Sequence, residues 1–283
     1  MLQLTALEPI DYLIIGHLTV DLTPQGPQLG GSAAYAALTA QALGLRVGIV
    51  TSWGAELPLG ILRGIPVASY PTEQSTTFTN TVTPTGRKQV ISHVAPALDY
   101  YMVPEPWRNA QIVHLAPVAQ EVEPGLVRNF PSALIGVTPQ GWLRSWDERG
   151  NIQMTEWPEA DFVLQRSGAA VVSVEDVRNS EERLDELVTY SRVLAATEGA
   201  DGVRLYWNGD VRRFRAPEVA EVDATGAGDI FAAAFFARLY TTRDPWEAAR
   251  FANQLAAWSV TRQGLAGIPT AQEVQESMIE ILD

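Results

Sequence analysis

The sequence predicts an α/β protein with a central, mostly parallel sheet and helices on both of its faces. Short apolar runs between turn residues are typical of strands that are covered on both sides. Helix-like stretches separate several of these runs, and this strand, helix, strand repetition favours parallel pairing. The predicted strands lie within residues 12–18, 46–53, 111–118, 134–140, 170–176, 192–199 and 202–209, with predicted helices at 32–44, 123–130 and 181–191.

The C-terminal quarter of the chain differs, because its sequence predicts helices only. Pro245 directly after Asp244 is typical of a helix start, and Thr270 with Glu273 forms a capping-box pattern. We expect these helices to cover one end of the sheet. They are predicted at residues 227–240, 244–264 and 270–283.

Residues 75–95 interrupt the strand and helix rhythm, because threonine alternates with apolar residues on both sides of the PTGR segment. This alternation is typical of a β-hairpin with one polar face. The chain shows no internal repeat and no long linker, so we expect a single domain over residues 1–283 with a reduced lid made of this hairpin. Residues 76–83 are a candidate sheet edge, and two such edges could pair in a homodimer.

The bulk composition restricts the partners of the protein. The chain has 283 residues, 46% of them hydrophobic, and no cysteine, so thiolate chemistry is excluded. Lys and Arg number 20 against 33 Asp and Glu, and the resulting net charge of −13 repels nucleic-acid phosphates. No apolar run reaches the roughly 18 residues of a membrane span, and the N-terminus lacks a signal-peptide pattern. We therefore expect a cytoplasmic protein that binds neither nucleic acid nor membranes.

The segment DATGAGDIF at 223–231 places a carboxylate in a glycine-rich loop where a helix begins. Backbone amides at a helix start lack intrahelical partners and attract anions. A carboxylate at Asp229 would repel a phosphate, but it could accept the proton of a hydroxyl while the amides stabilise a transferring phosphoryl group. The alternative is an ordinary helix cap made by Asp223 or Thr225.

This segment resembles the C-terminal signature of the ribokinase-like (PfkB) family of carbohydrate and nucleoside kinases. The segment LGGSAAYAALTAQALGLRVGIVTSWG at 29–54 is similar to the other signature of that family, a Gly-Gly pair that opens a helix. The two motifs stand in the order of the family. The resemblance implies a three-layer α/β/α fold and transfer of phosphate from ATP, with Mg²⁺, to a hydroxyl of a small sugar, polyol or nucleoside.

The resemblance also implies roles for individual residues. Asp229 would be the catalytic base, in an anion hole formed by the loop of Gly226, Ala227 and Gly228. The substrate would be bound by Asp21, Gly30 and Gly31, with Tyr35 on the helix that follows the glycine pair. Apart from the resemblance, Arg87 in the hairpin could reach a substrate oxygen or phosphate when the hairpin closes. Tyr35 stands where relatives often have asparagine, so the ribokinase substrate cannot simply be inherited.

On the nucleotide side, the segment AATEGADGV at 195–203 is similar to a V-T-x-G-x-x-G element of the family. The resemblance therefore assigns the nucleotide to Thr197, Gly199, Gly202, Thr225 and Asn253. Many relatives carry N-x-x-E after a central strand to organise magnesium. This chain has S-V-E-D, so Asp176 and Glu175 are the candidate metal residues and the motif is weakened.

Three alternatives for the function stay open. The Gly-Gly-x-x-x-Tyr-Ala opening is similar to the myo-inositol-kinase-like branch, which favours an inositol-like polyol. A nucleoside kinase on the same fold is the second alternative, and a non-catalytic ligand-binding relative is the third.

Only eight residues separate Asp21 from Gly30, so we expect no further lid strands there. His17 could contact the substrate, whereas His114 is expected in the core.

Overall fold

The computed structural model describes residues 7–62, 64–83 and 86–278, with only the backbone for 82, 83 and 86–88. The strands are β1 (Tyr12–Ile15), β2 (Thr19–Thr23), β3 (Gly26–Gly30), β4 (Val47–Trp53), β5 (Val67–Pro71), β6 (Thr76–Thr83), β7 (Gly86–His93), β8 (Ile112–Leu115), β9 (Leu134–Val137), β10 (Arg144–Trp146), β11 (Ile152–Met154), β12 (Ala169–Ser173), β13 (Val193–Thr197), β14 (Val203–Trp207) and β15 (Asp210–Phe214). The α-helices are α1 (Ser32–Ala42), α2 (Ala160–Leu164), α3 (Glu181–Tyr190), α4 (Ala227–Thr242), α5 (Pro245–Ser259) and α6 (Ala271–Ser277).

The central sheet has nine strands in the order β15-β14-β13-β12-β9-β8-β1-β4-β5. All neighbours from β13 to β5 are parallel, and β14 and β15 add an antiparallel edge. The predicted α/β class with a mostly parallel sheet is therefore confirmed. Each predicted strand overlaps an observed one. Sequence inspection missed the two edge strands β5 and β15, because both are largely exposed and lack the apolar run of a central strand.

Helices cover both faces of the central sheet. One core cluster joins α1, α4 and α5 to the sheet, and the other joins α2 and α3 to the opposite face. The prediction that the C-terminal helices cover one end of the sheet holds for α5, which contacts β14 and β15, but not for α4, which contacts the central strands β8, β9 and β12. Helix α4 is apolar on all sides and is buried between the sheet, α1 and α5, which is the stable place for such a helix. The predicted helix at 123–130 is a short 3₁₀ turn, Pro124–Arg128.

Both predicted helix starts are confirmed. The Asp244 carboxylate accepts hydrogen bonds from the backbone N–H groups of Trp246 (2.9 Å) and Glu247 (3.3 Å). Thr270 and Glu273 cap each other's backbone reciprocally at the start of α6. Residues 279–283 of the third predicted helix lie outside the described residues. No helix in the described part of the chain has the length and apolarity to cross a membrane.

A second sheet of four strands, in the order β3-β2-β6-β7, forms a lid. The predicted hairpin is confirmed as the antiparallel pair of β6 and β7. The expectation that residues 21–30 are too few for lid strands is wrong, because Thr23 pairs with Gly26 across a tight turn and leaves room for β2 and β3. Strand β6 lies between β2 and β7, so residues 76–83 are not an edge. The homodimer predicted to form through that edge is therefore no longer supported.

His114 on β8 belongs to the core, as expected from its sequence context. Its side chain is 0% exposed, and its ring nitrogens lie 3.2 Å from the Tyr12 hydroxyl and 3.0 Å from the Thr138 hydroxyl. Burial lowers the pKa of His114 from 6.5 to about 3, because the core disfavours the charged ring. The folded protein therefore holds a neutral histidine at a pH where the unfolded chain binds a proton.

We predict that His114→Gln makes the protein less sensitive to acid. The folded pKa is depressed, so stability is present above the unfolded pKa and is lost as the pH falls. Between pH 6 and pH 5 this residue should remove about 1 kcal/mol from the free energy of unfolding of the wild type, and the variant should escape that loss. Urea unfolding at the two pH values measures it. His93→Gln, at a partly exposed site, is the control. An unchanged pH dependence in His114→Gln would contradict the prediction.

Candidate active site

A cavity of about 780 Å³ lies between the lid, the start of α4 and the carboxyl ends of the central strands. This position is where open α/β sheets hold ligands. The sequence-predicted residues that line it are Asp21, Gly31, Tyr35, Glu175, Asp176, Thr197, Gly199, Gly202, Thr225, Gly226, Ala227, Gly228, Asp229 and Asn253. Gly30 is not among the lining residues. The side chain of Arg87 lies outside the described residues.

The loop before α4 is not an ordinary capped helix start. Gly226 occupies the N-cap position with φ 81°, and no side chain caps the helix. The Asp223 carboxylate instead accepts hydrogen bonds from the backbone N–H groups of Thr225 and Gly264, both at 2.9 Å. The alternative of a cap by Asp223 or Thr225 is therefore wrong. The positive end of the α4 dipole faces a cavity that also contains Asp229.

Tyr35 packs against the glycine loop that precedes α4. Its side chain is 5% exposed, and a Cβ atom added at Gly226 would lie only 2.2 Å from two carbons of its ring. The ring of Tyr35 therefore packs directly on the backbone of Gly226. Substrate binding remains a prediction for Tyr35, but its position also makes it a support of the anion loop.

The Gly-Gly pair has two separate structural reasons. A Cβ atom at Gly30 would lie 2.5 Å from Oδ2 of Asp21, so glycine leaves room for that carboxylate. Gly31 is the N-cap of α1 with φ 88°, and a Cβ atom there would lie 2.5 Å from the carbonyl oxygen of His17. Gly30 thus shapes the site through Asp21, whereas Gly31 lines the cavity itself.

The lid holds Asp21 through a chain of hydrogen bonds. The Thr19 hydroxyl donates to Oδ1 of Asp21 at 2.9 Å, and the Asn80 side-chain amide donates to Oδ2 at 3.4 Å. The Gln89 amide donates in turn to Oδ1 of Asn80 at 2.9 Å, which orients the Asn80 amide nitrogen toward the carboxylate. All four side chains belong to residues that line the cavity. One wall of the cavity is therefore rich in carboxylate and amide groups.

All of the predicted nucleotide residues line the cavity, namely Thr197, Gly199, Gly202, Thr225 and Asn253. Thr197 ends β13, and the turn after it closes when the Glu198 N–H donates to the carbonyl oxygen of Gly202 at 2.7 Å. Gly202 has φ 96°, and a Cβ atom there would lie 2.0 Å from the carbonyl oxygen of Phe214. Asn253 on α5 donates to the Arg215 carbonyl at 2.8 Å, so its amide also braces the segment after β15.

Asp176 and Glu175, the predicted metal residues, both line the cavity. Asp176 is partly buried, and it accepts hydrogen bonds from Gln140 (3.2 Å) and from the Ser173 N–H (3.4 Å). Burial raises the pKa of Asp176, while the Arg144 guanidinium opposes that rise. Among the described residues, no group of three or more potential ligands forms a metal cluster. One or two carboxylates fit Mg²⁺, which takes its other ligands from phosphates and water.

Sequence inspection missed several polar residues that line the cavity, namely Asn80, Gln89, Gln140, Arg144 and Arg178. The alternation in β6 could have placed Asn80 on the face of Phe78. Gln140 and Arg144 follow the end of β9, where ligand contacts are expected.

His17 does not line the cavity, contrary to expectation. It is 0% exposed, and its ring nitrogens lie 2.7 Å from the Thr76 hydroxyl and 3.0 Å from the Pro96 carbonyl.

The sheet order, the β lid and the glycine loop at the start of α4 together form a ribokinase-like fold. Solved structures agree. A pyrophosphate-dependent kinase in the ribokinase family, complexed with a pyrophosphate analog and myo-inositol, superposes with a TM-score of 0.78 at 18% identity, over 94% of this chain and 99% of that one. Ribokinase from Giardia lamblia gives 0.75 at 21% identity, over 95% and 98%. These likenesses concern the fold.

Residues 153–271 match the pfkB family carbohydrate kinase, which confirms the resemblance to this family that the sequence motifs predicted. Fructokinase of Klebsiella pneumoniae is 27% identical over 94% of this chain and 98% of its own length. Cytidine kinase of Thermococcus kodakarensis is 24% identical over 89% and 99%. Inositol 3-kinase of Zea mays is 38% identical, but only over 31% of this chain and 22% of its own.

Proposed function

We propose that this chain transfers the terminal phosphate of ATP to a hydroxyl of a small sugar or polyol, with Asp229 as the general base. One observation carries the proposal. Asp229 lies in the first turn of α4, which no side chain caps, inside the same cavity as the hydrogen-bonded wall around Asp21. A base, an anion-binding helix start and a hydroxyl-binding wall are the parts that phosphoryl transfer to an alcohol needs.

In the proposed mechanism the acceptor hydroxyl lies between Asp21 and Asp229. Asp229 accepts the hydroxyl proton as the oxygen attacks, and the backbone amides of Ala227 and Gly228 stabilise the negative charge of the transferring group. Magnesium, when bound, would neutralise charge on the donor phosphates. Asp176 and Glu175 would hold it, and Thr197 and Gly199 would bind the donor from the turn after β13.

The wall around Asp21 favours a polyol as the acceptor. Asp21, Asn80 and Gln89 present carboxylate and amide groups, which suit vicinal hydroxyls better than an apolar nucleobase. An inositol-like acceptor is the finer proposal, supported by the short local similarity to plant inositol 3-kinases. Nucleosides remain the second candidate, because Phe78 and Ile152 add apolar surface to the same cavity.

Removing one member of the amide chain should weaken acceptor binding. We expect Asn80→Leu to raise the acceptor KM about tenfold or more and to leave the ATP KM within about threefold, because Asp21 loses a hydrogen bond and becomes misoriented. Steady-state kinetics with each substrate varied in turn measures both values. Thr81→Val, at the next position and therefore on the opposite lid face, is the matched control. Equal acceptor KM values in the two variants would contradict the role of Asn80.

The experiment that tests the proposed function measures product release with a panel of acceptors. ADP release from Mg·ATP would be followed with polyols, sugars and nucleosides, with Asp229→Asn as the blank. A parallel series replaces ATP by pyrophosphate and follows phosphate, since a structural neighbour is described as pyrophosphate-dependent. Turnover with a polyol or sugar supports the proposal, and turnover with nucleosides alone supports the second candidate. Silence across both series would favour a non-catalytic ligand-binding protein.

A further inference from the structure

Strands β10 and β11 form a small ribbon, residues 144–154, inserted after β9. Its turn is closed by one carboxylate. Asp147 accepts hydrogen bonds from the backbone N–H groups of Arg149 and Asn151, both at 2.9 Å, and from the Asn151 side chain at 2.9 and 3.1 Å. The two strands pair antiparallel, with Arg144 opposite Met154. The ribbon is therefore a braced hairpin and not an open loop.

The turn of the ribbon is attached to the lid. The Ile91 N–H on β7 donates to the Gly150 carbonyl at 2.8 Å, and Asn151 forms an antiparallel bridge with Val90. Gly150 has φ 75°, and a Cβ atom there would lie 1.9 Å from the Ile91 carbonyl oxygen, so a glycine is required at this contact. The ribbon thus continues the lid sheet beyond β7.

The other end of the ribbon carries Arg144 into the cavity. Arg144 is partly buried and lines the cavity with Gln140, Ser173 and Asp176. The Gln120 side-chain amide donates to its carbonyl oxygen, which fixes the backbone at this point. Gln140, at the start of the same segment, donates a hydrogen bond to Oδ1 of Asp176 at 3.2 Å. Burial raises the pKa of that carboxyl, and the Arg144 charge opposes the rise. Arg144 therefore stands beside the carboxylates that would hold magnesium.

Acidic residues outnumber basic ones in the cavity lining, so binding a negatively charged phosphate donor there requires additional positive charge. Among described lining residues, the basic ones are Arg144 and Arg178, and the acidic ones are Asp21, Glu175, Asp176, Glu218, Glu221 and Asp229. A polyphosphate donor adds further negative charge, which one magnesium ion only partly cancels. Arg178 is exposed, so solvent screens its charge. Arg144 is better shielded, and its planar fork matches a phosphate.

We propose that Arg144 is a further catalytic residue, which contacts the phosphate being transferred from a ribbon attached to the lid. This assignment rests on the proposed function. It gives the ribbon a role, because movement of the lid would carry the guanidinium with it. The competing role is purely local, in which Arg144 only neutralises Asp176.

A double-mutant cycle separates the two roles. Arg144→Met, Asp176→Asn and the double variant are compared with the wild type in the ADP-release assay, with the acceptor found in the panel. We expect Arg144→Met to lower kcat by about 10²–10³-fold with a nearly unchanged acceptor KM, and Arg144→Lys to recover part of the loss. Arg149→Met, in the exposed turn of the same ribbon, is the matched control and keeps wild-type turnover. Thermal unfolding checks that every variant is folded.

The cycle has a different outcome for each role. If Arg144 contacts the phosphate, Arg144→Met still costs at least about tenfold in kcat in the Asp176→Asn background. If Arg144 only neutralises Asp176, Arg144→Met leaves kcat unchanged in the Asp176→Asn background, and the proposal is overturned. An Arg144→Met variant with the same kcat as Arg149→Met would also overturn the proposal. A wild type that releases no ADP or phosphate with any acceptor instead removes the proposed function, and this assignment with it.

Discussion

Asp229→Asn should lower kcat by about 10²–10⁴-fold while the Kd for ADP stays within about threefold of the wild-type value. The amide has nearly the shape of the carboxylate, so the loop and the start of α4 should keep their geometry. The change removes the proton acceptor and leaves unchanged the residues proposed to bind the donor, among them Thr197 and Gly199, which also line the cavity. The measurement combines steady-state turnover with calorimetric titration of ADP.

A chemically matched control for this substitution is Asp210→Asn, at an exposed position where β15 begins. It makes the same carboxylate-to-amide change away from the cavity and should keep wild-type kcat. If Asp229→Asn turned over as fast as Asp210→Asn, Asp229 would not be the base. If Asp229→Asn lost ADP binding together with turnover, the residue would act on the donor.

Gly226→Ala is the second substitution with a large expected effect. Gly226 has φ 81°, which an L-residue adopts only at a cost, and its Cβ atom would overlap the Tyr35 ring at 2.2 Å. Either the loop or the ring must move. We expect a loss of about 2 kcal/mol or more in stability, and a fall in kcat of about 10²-fold, because a shift of about 1 Å misplaces the anion-binding amides.

Gly228→Ala is the matched control for the stability part of this prediction. Gly228 lies two residues further on in the same loop, with no atom within 4 Å of the added Cβ position, and should unfold at nearly the wild-type temperature. Gly226→Ala combined with Tyr35→Ala relieves the overlap but not the backbone strain, so the loss caused by Gly226→Ala should shrink in that background. Equal unfolding temperatures for Gly226→Ala and Gly228→Ala would contradict the packing of Tyr35 on the loop.

Seven of the nine strands of the central sheet could be predicted because each is a short apolar run bounded by turn residues, a pattern that local sequence carries by itself; the exposed edge strands β5 and β15 lack it. Of the four lid strands, only β6 and β7 were predicted from the sequence. Strands β2 and β3 contain Asp21, Pro27 and two glycines, which obscure strand periodicity. They become strands because β2 pairs with β6, more than fifty residues away in the chain. The ribbon was missed for a similar reason, since its strands are very short and are stabilised by docking on β7.

The sequence by itself determined which local conformations are available and where unusual backbone is needed: the glycine loop before α4, the Gly-Gly pair before α1, and the apolar strands and helices. These patterns can be recognised from residues that are neighbours in the sequence. Tertiary structure alone decided which side chains meet. Asp21 meets Asn80, Gly226 meets Tyr35, and Arg144 lies beside Asp176 because sheet order and lid pairing bring distant segments together. Local periodicity carries no information on such contacts.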